Sequence, residues 1–210
     1  SAMIPVLLSA RQNDGERAAW RLVNLVLTAL LAFMAVVVLV VGLFTPFFVR
    51  TLLAPGFDAT TSQLTVTLTR VMLVQPLVLA VGSVATAVLN SRNRFLPTAL
   101  SIVSHNVALI AGIIASRFIP GLGILGPTFG VLGGALLQVI VLSPGLRAGE
   151  GRLSLAFNPA DSRLREVVRL LIPNGLSVGV NYSGFIVDTS FATRAPQVAG
   201  LAALYNAFLL

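Results

Sequence analysis

Long stretches without a charged residue constrain this chain more than any other feature. Four of them cover residues 22–49, 71–91, 95–116 and 118–146. Each is at least as long as the roughly 20 residues that an α-helix needs to cross about 30 Å of hydrocarbon. Only 10% of the 210 residues are charged, whereas a soluble domain of this size carries about 25%. The chain is therefore predicted to be an all-α, polytopic membrane protein.

The charged residues lie mostly between these stretches. The 14 basic residues are all arginines and, with 7 acidic residues, give a net charge of +7. Nucleic-acid-binding proteins cluster basic residues on solvated faces, so this distribution argues against a nucleic-acid partner. The chain has no cysteine, which excludes disulfides and thiol-based metal sites within it.

Turn signals such as Pro55-Gly56 divide the chain into membrane spans. The predicted spans are 16–49, 62–89, 96–116, 128–142 and 167–193, with a sixth that starts near Gly200. We expect Asp161 or Ser162 to cap an amphipathic lead-in to the fifth span. Trp20 is expected to anchor the first span in the lipid headgroup region.

The arginines predict which ends of the spans face the cytoplasm. Ten fall on one side: Arg11, Arg17, Arg21, Arg92, Arg94, Arg147, Arg152, Arg163, Arg165 and Arg169. Four fall on or towards the other: Arg50, Arg70, Arg117 and Arg194. The positive-inside rule makes the first side cytoplasmic. The basic residues of the stretch 147–169 are expected to meet anionic lipid headgroups there.

Several stretches carry a family resemblance in their order and spacing. They are "LLAPGF" (52–57) with "LTVTLTRVM" (64–72), "LNSRNRF" (89–95) with a proline following, "GALLQ" (134–138) with Pro144, and "LIPNGLSVGVNYSGFIVDTSFAT" (171–193). Together they resemble the MurJ/MviN lipid II flippases of the MOP exporter superfamily. In the second stretch the proline, Pro97, comes about one residue earlier than in the family.

The resemblance implies a MATE-like, two-lobe transporter of about fourteen helices. This chain would correspond to a part of that fold, from the end of helix two to the beginning of helix eight. Residues 1–146 would form most of the N-terminal lobe, 147–166 a cytoplasmic amphipathic linker, and 167–210 the truncated start of the second lobe. It also implies a location in the bacterial cytoplasmic (inner) membrane. The implied function is alternating-access transport of a lipid-linked sugar diphosphate, lipid II, coupled to a cation.

The residues alone are also compatible with two other classes of function. One is another MOP-type transporter, such as a polysaccharide-unit flippase or a drug/sodium antiporter. The other is a membrane scaffold that does not transport. An enzyme is not expected, because the sequence offers no paired carboxylates, no nucleophile with a base in reach and no metal-binding histidine cluster.

Asp188 is the acidic residue inside the fifth span, after the uncharged residues 170–187. An ionised carboxylate in a span is costly unless it has a partner. Asp188 could bond to a neighbouring helix, be half-solvated under the outer loop, or bind a cation. The resemblance favours a sodium site with Asp188 and Thr189 as ligands, completed by residues beyond this chain. No cofactor other than this ion is expected.

Two further residues are candidates for substrate binding. Arg70 lies one to two turns inside its span, where it could reach the outer headgroups or pair with a diphosphate through its guanidinium fork. Asn106 matches an asparagine of the family and lies beside His105. His105 could relay protons, but no acid lies three or four residues away, so we predict interhelical hydrogen bonding for this pair.

Other patterns are predicted to be structural. The spacings Gly126–Gly130–Gly134 and Gly175–Gly179 suit close packing of helices, and "GLGILGPTFG" is a turn. The family commonly has an acid–arginine pair in helix eight, where this chain has Phe208 and Leu209.

Overall fold

The computed structural model describes residues 3–147, 153–156, 158 and 161–193, without the side chains of Arg147, Asn174 and Asn181. The described residues form six α-helices and one π-helical turn, and no strand. The elements are α1 (Met3–Phe47), the π-helical turn (Phe48–Leu53), α2 (Ala59–Met72), α3 (Val74–Ser91), α4 (Phe95–Phe118), α5 (Leu125–Arg147) and α6 (Ser162–Ala192).

Five segments are long and apolar enough to cross a membrane: Met3–Leu53, Ala59–Ser91, Phe95–Phe118, Leu125–Leu146 and Ser162–Ala192. They correspond to the five predicted spans and confirm an all-α, polytopic architecture. The sixth span near Gly200 lies outside the described residues, as do Phe208 and Leu209.

A glycine divides α1 into two helices, residues 3–14 and 16–47. Gly15 has φ 85° and ψ 179°, a conformation open to glycine and strained for residues with a Cβ. The second helix starts at Glu16, as predicted, and an acidic residue there favours the positive end of the helix dipole.

The span predicted over 62–89 is confirmed as the segment Ala59–Ser91. Within this segment the helix is interrupted at Leu73, between α2 and α3, and Pro76 explains the interruption. Proline lacks the N–H that would bond to the carbonyl four residues earlier, and its ring clashes with that carbonyl. Here that carbonyl belongs to Met72, the last residue of α2. Pro76 itself lies in the first turn of α3, where a missing N–H is tolerated.

The fourth span extends about one turn beyond its predicted end at Leu142, since α5 continues through Pro144 to Arg147. Pro144 cannot donate to the carbonyl of Ile140, but the hydroxyl of Ser143 does so at 2.9 Å. Hydroxyl side chains of this kind allow proline within a membrane helix.

Contacts divide the chain into two compact units: 1–38 with 72–171, and 39–71 with 172–210. In the first unit, one face of α1 packs with α3 around buried residues such as Val23 and Val88. Leu164 and Val167 of α6 join the same core. Asp161 accepts the amide N–H of Arg163 at 3.0 Å, which confirms the predicted cap of the lead-in to α6.

Close packing of α4 against α5 depends on glycines, as the spacing Gly126–Gly130–Gly134 predicts. A Cβ built on Gly126 would lie 2.6 Å from the carbonyl oxygen of Gly112 in α4, closer than real contacts allow. A Cβ on Gly134 would lie 2.8 Å from the carbonyl oxygen of His105. By contrast, Gly175 and Gly179 meet no described atom within 4 Å, so close packing there is not supported.

Candidate functional site

Arg70 lies in the last turn of α2, in the second unit, and its side chain is exposed. Its Nε donates a hydrogen bond to the carbonyl oxygen of Gly42 in α1 at 3.3 Å. The hydroxyl of Thr45, which is fully buried, donates to the carbonyls of Val41 at 2.6 Å and Gly42 at 3.1 Å. Arg70 therefore ties α2 to α1, a contact that the sequence did not indicate.

Asp188 and Thr189 lie in the second half of α6, also in the second unit. The Asp188 side chain is exposed. The hydroxyl oxygen of Thr189 is enclosed and has no hydrogen-bond partner within the described part of the chain. The hydroxyls of Ser183 and Thr193 nearby differ, because each donates to a backbone carbonyl of its own helix, at 2.7 and 2.9 Å. The Thr189 hydroxyl is thus free to accept or donate a bond one residue after a carboxylate in the sequence.

Asn106 and His105 lie on α4 in the first unit. The amide of Asn106 donates to the carbonyl of Ile102 in its own helix at 3.0 Å, so its observed bond is not the interhelical one we predicted. The ring Nδ1 of His105 is enclosed beside Gly134 and has no partner among the described residues. The amide oxygen of Asn106 is left as the group that could contact a substrate.

Of the predicted site residues, Arg70, Asp188 and Thr189 lie in the second unit and Asn106 lies in the first. Across the described ranges, no hydrogen bond or ion pair joins Arg70 to Asp188, and no group of three or more His, Asp or Glu side chains could hold a metal. A cation at Asp188 and Thr189 would have the carboxylate and the hydroxyl as donors, up to three oxygens, which suits a hard cation but does not complete its coordination.

An ion-pair cluster that sequence reasoning missed lies at the predicted cytoplasmic end of the first unit. Glu16 pairs with Arg11 at 2.8 Å and also with Arg92, which follows α3. Asp14 pairs with Arg163 at the start of α6. These contacts bring the α1 bend, the α3–α4 turn and the start of α6 to the same end, as the arginine distribution predicts.

Trp20 does not anchor α1 in the headgroup region, and that prediction was wrong. Its side chain is 7% exposed and belongs to the core of the first unit. The guanidinium carbon of Arg92 lies 5.2 Å from the centre of the Trp20 ring, a cation–π contact. The indole is covered because Arg92, held by Glu16, lies over it.

Two polar residues inside the first uncharged stretch also have a role that we did not predict. The side chain of Asn24 accepts the backbone N–H of Ser154 at 2.9 Å and donates to its hydroxyl at 2.9 Å. One helical turn later, the hydroxyl of Thr28 accepts the N–H of Ala156 at 2.8 Å. This pair holds the extended residues 153–156 against α1, and its i, i+4 spacing was the available signal.

Comparison with known proteins places these features in a family. The family model described as "Lipid II flippase MurJ" matches residues 1–210. The chain is 28% identical to a probable lipid II flippase MurJ of Synechocystis sp., over an alignment of 210 positions that covers 95% of the chain. It is 28% identical to a lipid II flippase MurJ of Burkholderia cenocepacia, over an alignment of 204 positions that covers 94% of the chain. It spans 38% and 39% of the length of these two relatives. Because the family model matches the whole chain, the chain belongs to the MurJ lipid II flippase family.

Proposed function

We propose that the full-length protein moves lipid II, a lipid-linked sugar diphosphate, across the cytoplasmic membrane by alternating access. The observation that carries this proposal is the match of the family model to residues 1–210. The five segments capable of spanning a membrane support it, because a flippase must enclose a path for a large polar headgroup across the hydrocarbon.

The test is replacement of the resident flippase in a bacterium that depends on it. We expect the full-length protein to restore growth, and to restore the appearance of lipid II at the outer face of the membrane in the same cells. A variant truncated after residue 146, expressed to the same level, is the matched control and should restore neither. Expression of the full-length protein in the membrane without any outward movement of lipid II would contradict the proposal.

Coupling to a cation is a second part of the proposal, with Asp188 and Thr189 as two of the ligands. Two observations support it: the carboxylate of Asp188 is exposed, and the hydroxyl of Thr189, the next residue, is enclosed without a hydrogen-bond partner among the described residues. Sodium is bound by carboxylate, hydroxyl and carbonyl oxygens, as hard cations are. The remaining ligands would come from parts of the full-length protein beyond the described residues.

Substitutions on α6 test this cation site. Asp188→Asn should abolish the sodium dependence of transport and the rise in melting temperature on adding sodium, without loss of expression. Thr189→Val, which keeps the shape but removes the hydroxyl, should raise the sodium concentration needed for both effects. Ser183→Ala is the control, because its hydroxyl already donates to Val180. Unchanged sodium dependence in Asp188→Asn would remove that carboxylate from the coupling site.

Arg70 and Asn106 are proposed as contacts for the substrate. Arg70 uses Nε for its bond to Gly42, so the four N–H groups on Nη1 and Nη2 can bind a diphosphate. Asn106 would contribute its amide oxygen, since its Nδ2 donates within α4. Both side chains are exposed, as a substrate contact requires.

A further inference from the structure

The carbonyl of Gly42 lacks the donor that an α-helix normally provides. In a regular helix it would accept the N–H of the residue four positions later. That residue is Pro46, which lies within α1 and has no N–H. Because this carbonyl lies in an apolar span, leaving it without a partner would cost free energy.

Thr45 only partly satisfies that carbonyl. Its hydroxyl oxygen is 2.6 Å from the carbonyl oxygen of Val41 and 3.1 Å from that of Gly42. A hydroxyl has one proton to donate, and the shorter distance assigns it mainly to Val41. The Nε–H of Arg70, at 3.3 Å, is the second donor directed at Gly42.

The proline in α5 shows that a proline inside a helix does not by itself require an arginine. There Ser143 donates to the carbonyl of Ile140 at 2.9 Å, and the helix continues to Arg147. After Pro46 the α-helix instead ends at Phe47 and gives way to the π-helical turn Phe48–Leu53. The α-helix thus ends one residue after this proline, one turn beyond the carbonyl that Arg70 reaches.

We propose that Arg70 is a positioning residue that latches a hinge at Pro46. Its Nε–H holds the freed carbonyl of Gly42 and so sets the angle between α1 and the π-helical turn that follows the proline. When this bond is absent, the π-helical turn takes up more than one orientation relative to the residues of α1 before the proline. The latch uses Nε and is separate from a phosphate contact, which would use Nη1 and Nη2.

The experiment measures the hinge directly in the full-length protein in lipid nanodiscs. Spin labels at Leu39 and Leu52, which are 63% and 45% exposed, lie on either side of Pro46. Thirteen residues separate them, about 20 Å by helical rise, which is within range of pulsed electron resonance. Residues 1–210 contain no cysteine, so the two introduced cysteines are the labelling sites within this part of the protein.

We expect one narrow distance for the labelled parent and a broadened distribution with a second distance for Arg70→Gln. The double variant Arg70→Gln/Pro46→Ala should return to one narrow distance, because Pro46→Ala restores a backbone N–H for the carbonyl of Gly42. Arg117→Gln, which removes another exposed arginine of the predicted outer side, is the control and should match the parent.

Two outcomes would overturn the latch. One is an unchanged distance in Arg70→Gln. The other is a broadening that persists in the double variant, because the effect would then not pass through the carbonyl of Gly42. Transport measured alongside separates the two roles of Arg70. If the double variant regains the narrow distance but not transport, Arg70 both latches the hinge and contacts the substrate. If the double variant regains both, Arg70 acts through the latch alone.

Discussion

At the scale of single residues, one carboxylate organises the start of α2 on the predicted outer side. Asp58 accepts the hydroxyl of Thr61 at 2.5 Å and the amide N–H groups of Thr60 and Thr61 at 3.0 and 3.2 Å. These donors, first among them the Thr61 hydroxyl, hold the pKa of the Asp58 carboxyl below its usual value, because each favours the charged form. Asp58 is thus the N-cap of α2.

The lowered pKa predicts how this cap depends on pH. The folded-state pKa lies below the ordinary value of 3.8, so the cap contributes its full stability above that value. The contribution is lost as the pH falls through the lower, folded-state pKa. The melting temperature of the full-length protein should therefore fall more steeply over this acid range than that of Asp58→Asn, which caps without titrating. If the melting temperatures of the two proteins fall in parallel with pH, Asp58 is excluded as the source of the acid sensitivity.

At the scale of elements, the two adjacent glycines of α5 have opposite surroundings. A Cβ on Gly133 would meet no described atom within 4 Å, whereas one on Gly134 would lie 2.8 Å from the carbonyl oxygen of His105 and 2.9 Å from its Nδ1. The close approach of α4 and α5 thus depends on the second glycine. Both positions have the same helix propensity, so one serves as the control for the other.

Gly134→Ala is expected to force α4 and α5 apart, since a backbone atom blocks the new methyl group. Overpacking of this kind costs about 1–3 kcal/mol. Gly133→Ala should leave stability unchanged or raise it by up to about 1 kcal/mol, because alanine is the better helix former. Thermal unfolding of the two full-length variants in the same detergent measures both effects. Equal melting temperatures would show that the helices do not pack as closely as the structure places them.

At the scale of the whole molecule, the family match confirms the predicted resemblance. Together with the five spanning segments it confirms the predicted location in the cytoplasmic membrane. The assignment to a transporter family, rather than to an enzyme family, also follows from that match. The division into lobes and linker, the cation ligands and the substrate contacts stay predictions, and the experiments above test the last two.

The sequence by itself determined the number of described spans, their approximate ends and the grouping of loops at one end of the first unit. These features depend on local properties: length of an apolar run, charge between runs, a cap at Asp161 and glycine spacing in α5. The interruption at Leu73 also has a local cause, because Pro76 and the carbonyl of Met72 are neighbours in sequence, although the sequence analysis did not predict it.

Only the tertiary structure decided what the isolated polar side chains do. Arg70 bonds to a carbonyl 28 positions away. Arg92 reaches a carboxylate 76 positions away and lies over Trp20, and Asn24 bonds to Ser154, 130 positions away. In an apolar span a polar group without a partner costs free energy, and hydrophobic periodicity does not specify which partner it takes. That choice is made when helices distant in sequence pack together and bring the donor to the acceptor.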